Sequence, residues 1–222
     1  MRKSRKLTLP FDHTRRRRSR PTSVPHRARP MHHQRHPVHV TLRRIRLLPS
    51  MREQGLFLAL RRALARTARS WFRVVQFSVQ ADHIHMLVEA NDKLALSRGI
   101  AGLAVRLARS LNGALGRRGG VWAERFHARA LRTPREVRIA LIYVLKNRRK
   151  HGSRGRTSDS GWFDPCSSAW WFDGWLRPPR APPLGPVDAS PVRAPETWLA
   201  RTGWKRHGLI RDDEGPMAQM SR

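Results

Sequence analysis

The stretch His83-Ile84-His85-Met86-Leu87-Val88-Glu89 alternates between two kinds of side chain. On an extended strand successive residues point to opposite faces, so Ile84, Met86 and Val88 share one face while His83 and His85 share the other. The apolar set predicts a strand laid on a core, with the histidines turned away from that core. Same-face neighbours sit roughly 6.6–7 Å apart along the backbone, close enough for two imidazoles to reach one metal ion at about 2.1 Å each. Two ligands do not complete a site. A His-x-His pair by itself is ordinarily a hydrogen-bonded couple at the surface, so its meaning depends on what surrounds it.

Working outward, Val38 to Ile45 reads as a first strand, Arg52 to Ser70 as a helix with Leu56, Leu60, Ala63 and Leu64 on one side, and Phe72 to Val79 as a second strand. Gln80-Ala81-Asp82 turns the chain into the histidine strand. Leu94 to Arg117 predicts a second helix with Ile100, Leu103, Ala104, Leu107 and Leu111 toward the sheet, and Trp122 to Leu131 a fourth strand after Gly119-Gly120. Thr133-Pro134-Arg135-Glu136 is a capping box with proline at the first helical position, and Gly152 lies where a helix would stop. The spacing predicts a helix over Pro134 to Lys150. Its inward stripe is Val137, Leu141, Val144, Leu145 and Arg148, and another face carries Glu136, Ala140, Tyr143, Asn147 and Lys150. The expected fold is α+β, a ferredoxin-like split βαβ core (β-α-β-β-α-β) followed by a helix that carries the tyrosine.

Tyr143 is the only tyrosine in the chain, and Asn147 follows it by four residues. Four residues of helix rise about 6 Å, so a long phenol would hang over a metal that the shorter amide touches directly. His83, His85 and Asn147 are therefore the expected metal ligands and Tyr143 the expected nucleophile beside them. Each residue alone has an ordinary reading, a core-edge aromatic for Tyr143 and a helix-end amide for Asn147. Their combination along one element order carries the weight.

With those residues in place, the chain resembles the HUH endonucleases with one catalytic tyrosine, specifically the transposases of the insertion-sequence type and the REP-associated tyrosine transposases. The resemblance covers roughly His36 to Gly152. It rests on His39-Val40-Thr41-Leu42-Arg43, on Asp82-His83-Ile84-His85-Met86-Leu87-Val88, on Val121-Trp122 with Arg125-Phe126-His127, and on Tyr143-Val144-Leu145-Lys146-Asn147. It implies that His83 and His85 are the paired metal-binding histidines, Tyr143 the nucleophile and Asn147 the third ligand. One departure is Lys146-Asn147-Arg148, where relatives often carry Asn-Pro; a longer helix accounts for it. Asp164-Pro165-Cys166-Ser167-Ser168 and Trp171-Phe172-Asp173-Gly174-Trp175 are similar to a C-terminal extension found in a subset of relatives.

The resemblance implies a single-strand DNA transesterase. A free phenol has a pKa near 10, so only about one molecule in a thousand is ionised at neutral pH. A divalent metal, Mg²⁺ or Mn²⁺, would offset charge on the scissile phosphate while the phenolate forms a 5′-phosphotyrosine and releases a 3′-hydroxyl. Imidazole with amide oxygen suits manganese, and magnesium also accepts such oxygens, so the ion stays open. The implied partner is single-stranded or hairpin DNA. Two rivals stand beside this reading: a domesticated nucleic-acid-binding protein that keeps the fold without turnover, and a relaxase-like replication initiator. Monomer and homodimer both stay open, as does a tyrosine supplied to its own chain or to a partner's.

Composition points the same way. There are 46 Lys and Arg against 15 Asp and Glu, a formal net charge of +31. Only six of the basic residues are lysine and 40 are arginine, whose guanidinium forks onto phosphate and stacks on bases. Such a field seeks polyanions, with binding that weakens steeply as salt rises. His39, Arg43, Lys146, Lys150 and the block Arg15, Arg16, Arg17, Arg18 are the candidate DNA contacts. No apolar run approaches the ~20 residues of a membrane span, and lone Cys166 allows no internal disulfide. The expected setting is cytoplasmic and nucleoid-associated. Residues 1–35 read as a disordered basic arm, 36–152 as the nuclease domain, and 153–222 as a Trp- and Pro-rich extension. Six of the eight tryptophans lie in that extension, which predicts segments that pack on the core or stack on unpaired bases.

Overall fold

The computed structural model describes residues 31–67, 69–146, 163–179 and 190–214. The Arg15 to Arg18 block, Asn147, Arg148, Lys150 and Trp162 lie outside the described residues. Four strands form one antiparallel sheet: β1 (Val38–Arg43), β2 (Phe72–Val79), β3 (His83–Ala90) and β4 (His127–Ala130), in the order β2-β3-β1-β4. Helix α1 (Gln54–Ala65) links β1 to β2, and α2 (Lys93–Ala114) links β3 to β4. Each crossover spans the width of a strand, which is the split βαβ arrangement the sequence predicts. The fold is α+β with a four-stranded antiparallel sheet.

Alternation along β3 sets which layer each side chain enters. Ile84, Met86 and Val88 are fully buried with Val38, Val40 and Leu42 of β1 and with Leu60, Leu64, Ile100, Leu103 and Leu107 of the two helices. The opposite face is not open to water as a half-covered sheet would be. Helix α3 (Pro134–Lys146) lies over it, and Leu87 joins Val137, Ala140, Leu141 and Leu145 in a second core. A bulge between Val74 and Gln76 in β2 serves both layers. It turns Val74, Phe77 and Val79 to the first core and Val75 to the second, because one inserted residue reverses the alternation.

Several boundaries fall inside the expected ones for local reasons. Helix α1 stops at Ala65, where the Thr67 hydroxyl donates to the Ala63 carbonyl and offers the backbone an alternative to another turn. Strand β4 is only four residues long. Trp122 instead donates its indole N–H to the Ala104 carbonyl at 2.9 Å and packs beside α2. The capping box at α3 is formed: Glu136 N–H donates to Thr133 Oγ1 at 3.1 Å, and Thr133 N–H donates to Glu136 Oε2 at 3.1 Å.

The described parts of the extension complete the second layer. Val79 N–H donates to the Cys166 carbonyl at 2.8 Å, and Ser168 accepts from Phe77 N–H at 2.8 Å, so residues 166–168 cover the free edge of β2. Asp164 anchors that strap through a two-pronged bond with Arg52 at 2.9 and 2.6 Å. Helix α4 (Trp198–Arg201) is held at its start by Glu89 of β3, which accepts from Glu196 N–H, Thr197 N–H and the Thr197 hydroxyl. Phe172, Trp175, Trp204 and Ile210 fill the space over α3. Trp198 is the exception, remaining 46% exposed.

A close approach between α2 and β2 makes the first core testable. A Cβ added at Gly99 would lie 2.3 Å from the ring of Phe72, which is itself buried. Alanine gains about 1 kcal/mol in helix propensity but overpacks this contact by about 2–3 kcal/mol, so Gly99→Ala should destabilise by about 1–2 kcal/mol. A lower urea midpoint at unchanged slope would record it.

Candidate active site

Register brings the polar residues of the second face together. His85 pairs across to Thr41, His83 to Arg43, and His39 to Leu87, while Thr41 and His39 face His127 and Arg129 of β4. Tyr143 reaches down from α3 into this row. Its hydroxyl lies 3.3 Å from His85 Nε2, and the two rings meet edge to face with centroids 4.9 Å apart. His85 is buried, 5% exposed, and its Nδ1 lies 3.1 Å from the Thr41 hydroxyl. Hydrogen bonds at both nitrogens fix the ring plane.

His83 is held differently. Its Nδ1 is 2.6 Å from Asp82 Oδ1. A carboxylate accepts from an N–H, so Nδ1 carries a proton and, whenever the ring is neutral, the lone pair is on Nε2, the arrangement by which histidine ligands are oriented toward metals. Burial raises the Asp82 carboxyl pKa, but the His83 hydrogen bond and charge and the nearby Arg43 outweigh it and hold the group below the ordinary carboxylate range. Arg43 stands 3.3 Å from Asp82 at the surface. The His83 and His85 rings meet edge to face at 4.5 Å. These two residues fit a metal-ligand pair in donor type, and a metal on His85 would take the place of the Tyr143 hydroxyl at Nε2. Among the described residues no group of three or more His, Cys, Asp or Glu is placed to hold a metal, so any third protein ligand is of another type or lies elsewhere. Asn147, expected in that role, comes directly after the last described residue of α3.

His39 stacks on His85 with ring centroids 5.2 Å apart and meets Tyr143 edge to face at 5.8 Å. Its Nε2 is sealed from solvent and has no hydrogen-bond partner among the described residues. Burial, with smaller effects from Arg129 and His83, pushes its pKa down to about 4. His39 is half-buried, a different setting from an exposed phosphate contact, and forms part of the wall behind His85. Lys146 departs further from expectation. It is 2% exposed, donates to the Arg211 carbonyl at 3.1 Å and to the Asp212 carbonyl, and lies over the Trp175 ring. The extension, absent from any reading of the helix alone, takes this ammonium out of reach of phosphate. Two site residues escaped the sequence reading in these roles. Asp82 was legible only as a turn residue beside His83, and Thr41 meets His85 only through cross-strand register.

The family model described as "Transposase IS200 like" matches residues 31–147, more than half of the chain, and the chain belongs to that family of tyrosine transposases. A solved structure described as a REP-associated tyrosine transposase bound to a REP hairpin is similar at 18% identity, over 58% of this chain and 75% of that one, with a TM-score of 0.47. No curated protein matches. No helix among the described residues is long and apolar enough to cross a membrane.

The His39 environment predicts a pH effect. Its folded pKa lies below the unfolded value of 6.5, so the unfolded chain takes up a proton that the native chain resists. This contribution to stability is present above about pH 6.5 and is lost as pH falls toward 4, on the order of 1–3 kcal/mol in total. Urea midpoints across that window should fall in the wild type, and His39→Phe should flatten that part of the slope.

Proposed function

We propose that this transposase-family chain is a metal-dependent single-strand DNA transesterase acting in DNA transposition, with Tyr143 as its nucleophile. The observation that carries the reading is the placement of the only tyrosine, its hydroxyl 3.3 Å from Nε2 of a buried, doubly held histidine. The phenolic oxygen attacks the scissile phosphorus, a Tyr143 O–P bond forms as the P–O3′ bond breaks, and the departing 3′-oxygen takes up a proton. The phenolic proton leaves toward solvent. Thr41 orients the His85 ring, and Asp82 orients that of His83. Magnesium or manganese held by His83 and His85, with Asn147 as third ligand, would offset charge on the phosphate in the transition state. The bond energy of the phosphotyrosine then allows a 3′-hydroxyl to rejoin the strand without a nucleotide cofactor.

The substrate in this reading is single-stranded or hairpin DNA, supported by family membership and by a net charge of +31. Arg43, exposed beside the histidines and paired with Asp82, is the phosphate contact in this reading, and Arg129, paired with Glu136, comes to the same face from β4. Loss of a ligand or of the nucleophile should act on chemistry rather than on binding.

Incubating the purified chain with labelled hairpin oligonucleotides and manganese should give a shifted band on a denaturing gel. Tyr143→Phe should abolish that band while leaving affinity within about twofold, and His83→Ala should lower adduct formation by at least about a hundredfold. An adduct that survives Tyr143→Phe refutes the nucleophile. Binding with no adduct from the wild type would favour a protein that keeps the fold without turnover.

A further inference from the structure

The tyrosine helix is gripped from the side opposite the sheet. Arg138, in its second turn, makes a two-pronged bond with Glu214, both distances 2.8 Å, and donates to the carbonyls of Gly208 and Leu209 at 3.2 Å. At the other end of the described helix, Lys146 donates to the carbonyls of Arg211 and Asp212. Between these points Leu141 and Leu145 pack into the same core as Trp204 and Ile210. Glu214 also accepts from Arg211 N–H at 2.9 Å, which closes residues 211–214 into a turn that presents carbonyls and carboxylate together.

Tyr143 lies five residues after Arg138, about 140° round the helix. The contact with the extension and the contact with His85 are thus on different sides of one rod. A rotation of α3 by a single residue, about 100°, would carry the phenol off His85, and a slide of one residue would move it about 1.5 Å along the strand. Polar bonds at both ends of the described helix oppose both motions. Apolar packing of Val137, Ala140, Leu141 and Leu145 opposes them from the sheet side.

We propose that residues 208–214 are a positioning clamp for the nucleophile, with Arg138 and Glu214 as its central pair, holding Tyr143 over the His85 of its own chain. Arg138 and Glu214 are positioning residues, remote from the reacting atoms. The inference rests on Tyr143 being the nucleophile, but its placement can be read without turnover. Because the chain has one tyrosine, carbon-13-labelled tyrosine gives a single aromatic resonance set that reports the Tyr143 ring.

The full-length chain is compared with Glu214→Ala, with the exchanged pair Arg138→Glu/Glu214→Arg, and with His85→Ala as the reference for a tyrosine that has lost its neighbour. In Glu214→Ala the resonance should move toward its position in His85→Ala. Adduct formation at saturating hairpin oligonucleotide should fall about tenfold with Kd changed by less than about twofold, since misplacement of a nucleophile acts on the chemical step. The exchanged pair should recover part of that rate. Should Glu214→Ala fail to fold, Glu214→Gln keeps the shape, removes the charge and is read in the same way. An unmoved resonance overturns the clamp, as does an unchanged rate in a chain that forms the adduct. A wild type that forms no adduct instead refutes the nucleophile role, while the resonance still decides whether the clamp places Tyr143.

Discussion

Burial of β3 on both faces is the constraint from which the other features follow. A strand sends alternate side chains to opposite sides, so the residues that fill the α1–α2 core oblige His83, His85, Leu87 and Glu89 to enter the other layer. That layer must then be covered, or Leu87 and Val75 would face water. Helix α3 and the extension cover it, and the covering helix brings Tyr143 onto His85. The bulge in β2 lets one strand supply apolar residues to both layers without losing its place beside β3. Site geometry is thus a by-product of closing a second core.

The chain is poor in acids, and several of those among the described residues hold elements in place. Asp82 orients His83, Glu136 caps α3, Glu89 holds the start of α4, Asp164 anchors the edge strap through Arg52, and Glu214 binds Arg138. Most of the arginine excess therefore has no acidic partner to neutralise it, which is the condition for a protein that works on a polyanion. Partly buried bidentate pairs such as Arg138 with Glu214 also resist salt better than surface pairs, so strong positive charge and a fixed interior coexist.

The histidine environments differ although the residues are neighbours. His39 is kept neutral behind the site, His85 is held at both nitrogens, and His83 is tied to a carboxylate. One sheet face therefore carries a neutral imidazole, a fixed hydrogen-bond partner for the tyrosine and a ring oriented by a carboxylate. Position on the pleat decides the face, while the partner across the strand decides the chemistry.

The element order, the face shared by His83 and His85, and the capping box of α3 were legible in the amino-acid order, since period-two alternation and capping are local properties of a few residues. The position of Tyr143 on a helix following the fourth strand was legible for the same reason. Other features depend on residues far apart in the chain. Thr41 reaches His85 through register, Trp122 leaves the fourth strand to pack on α2, and Lys146 is buried under carbonyls from residues 211 and 212. Local pattern specifies which side of an element a residue occupies. Only the packed structure decides what stands opposite it, because that depends on how two cores are closed at once by segments separated by up to a hundred residues or more.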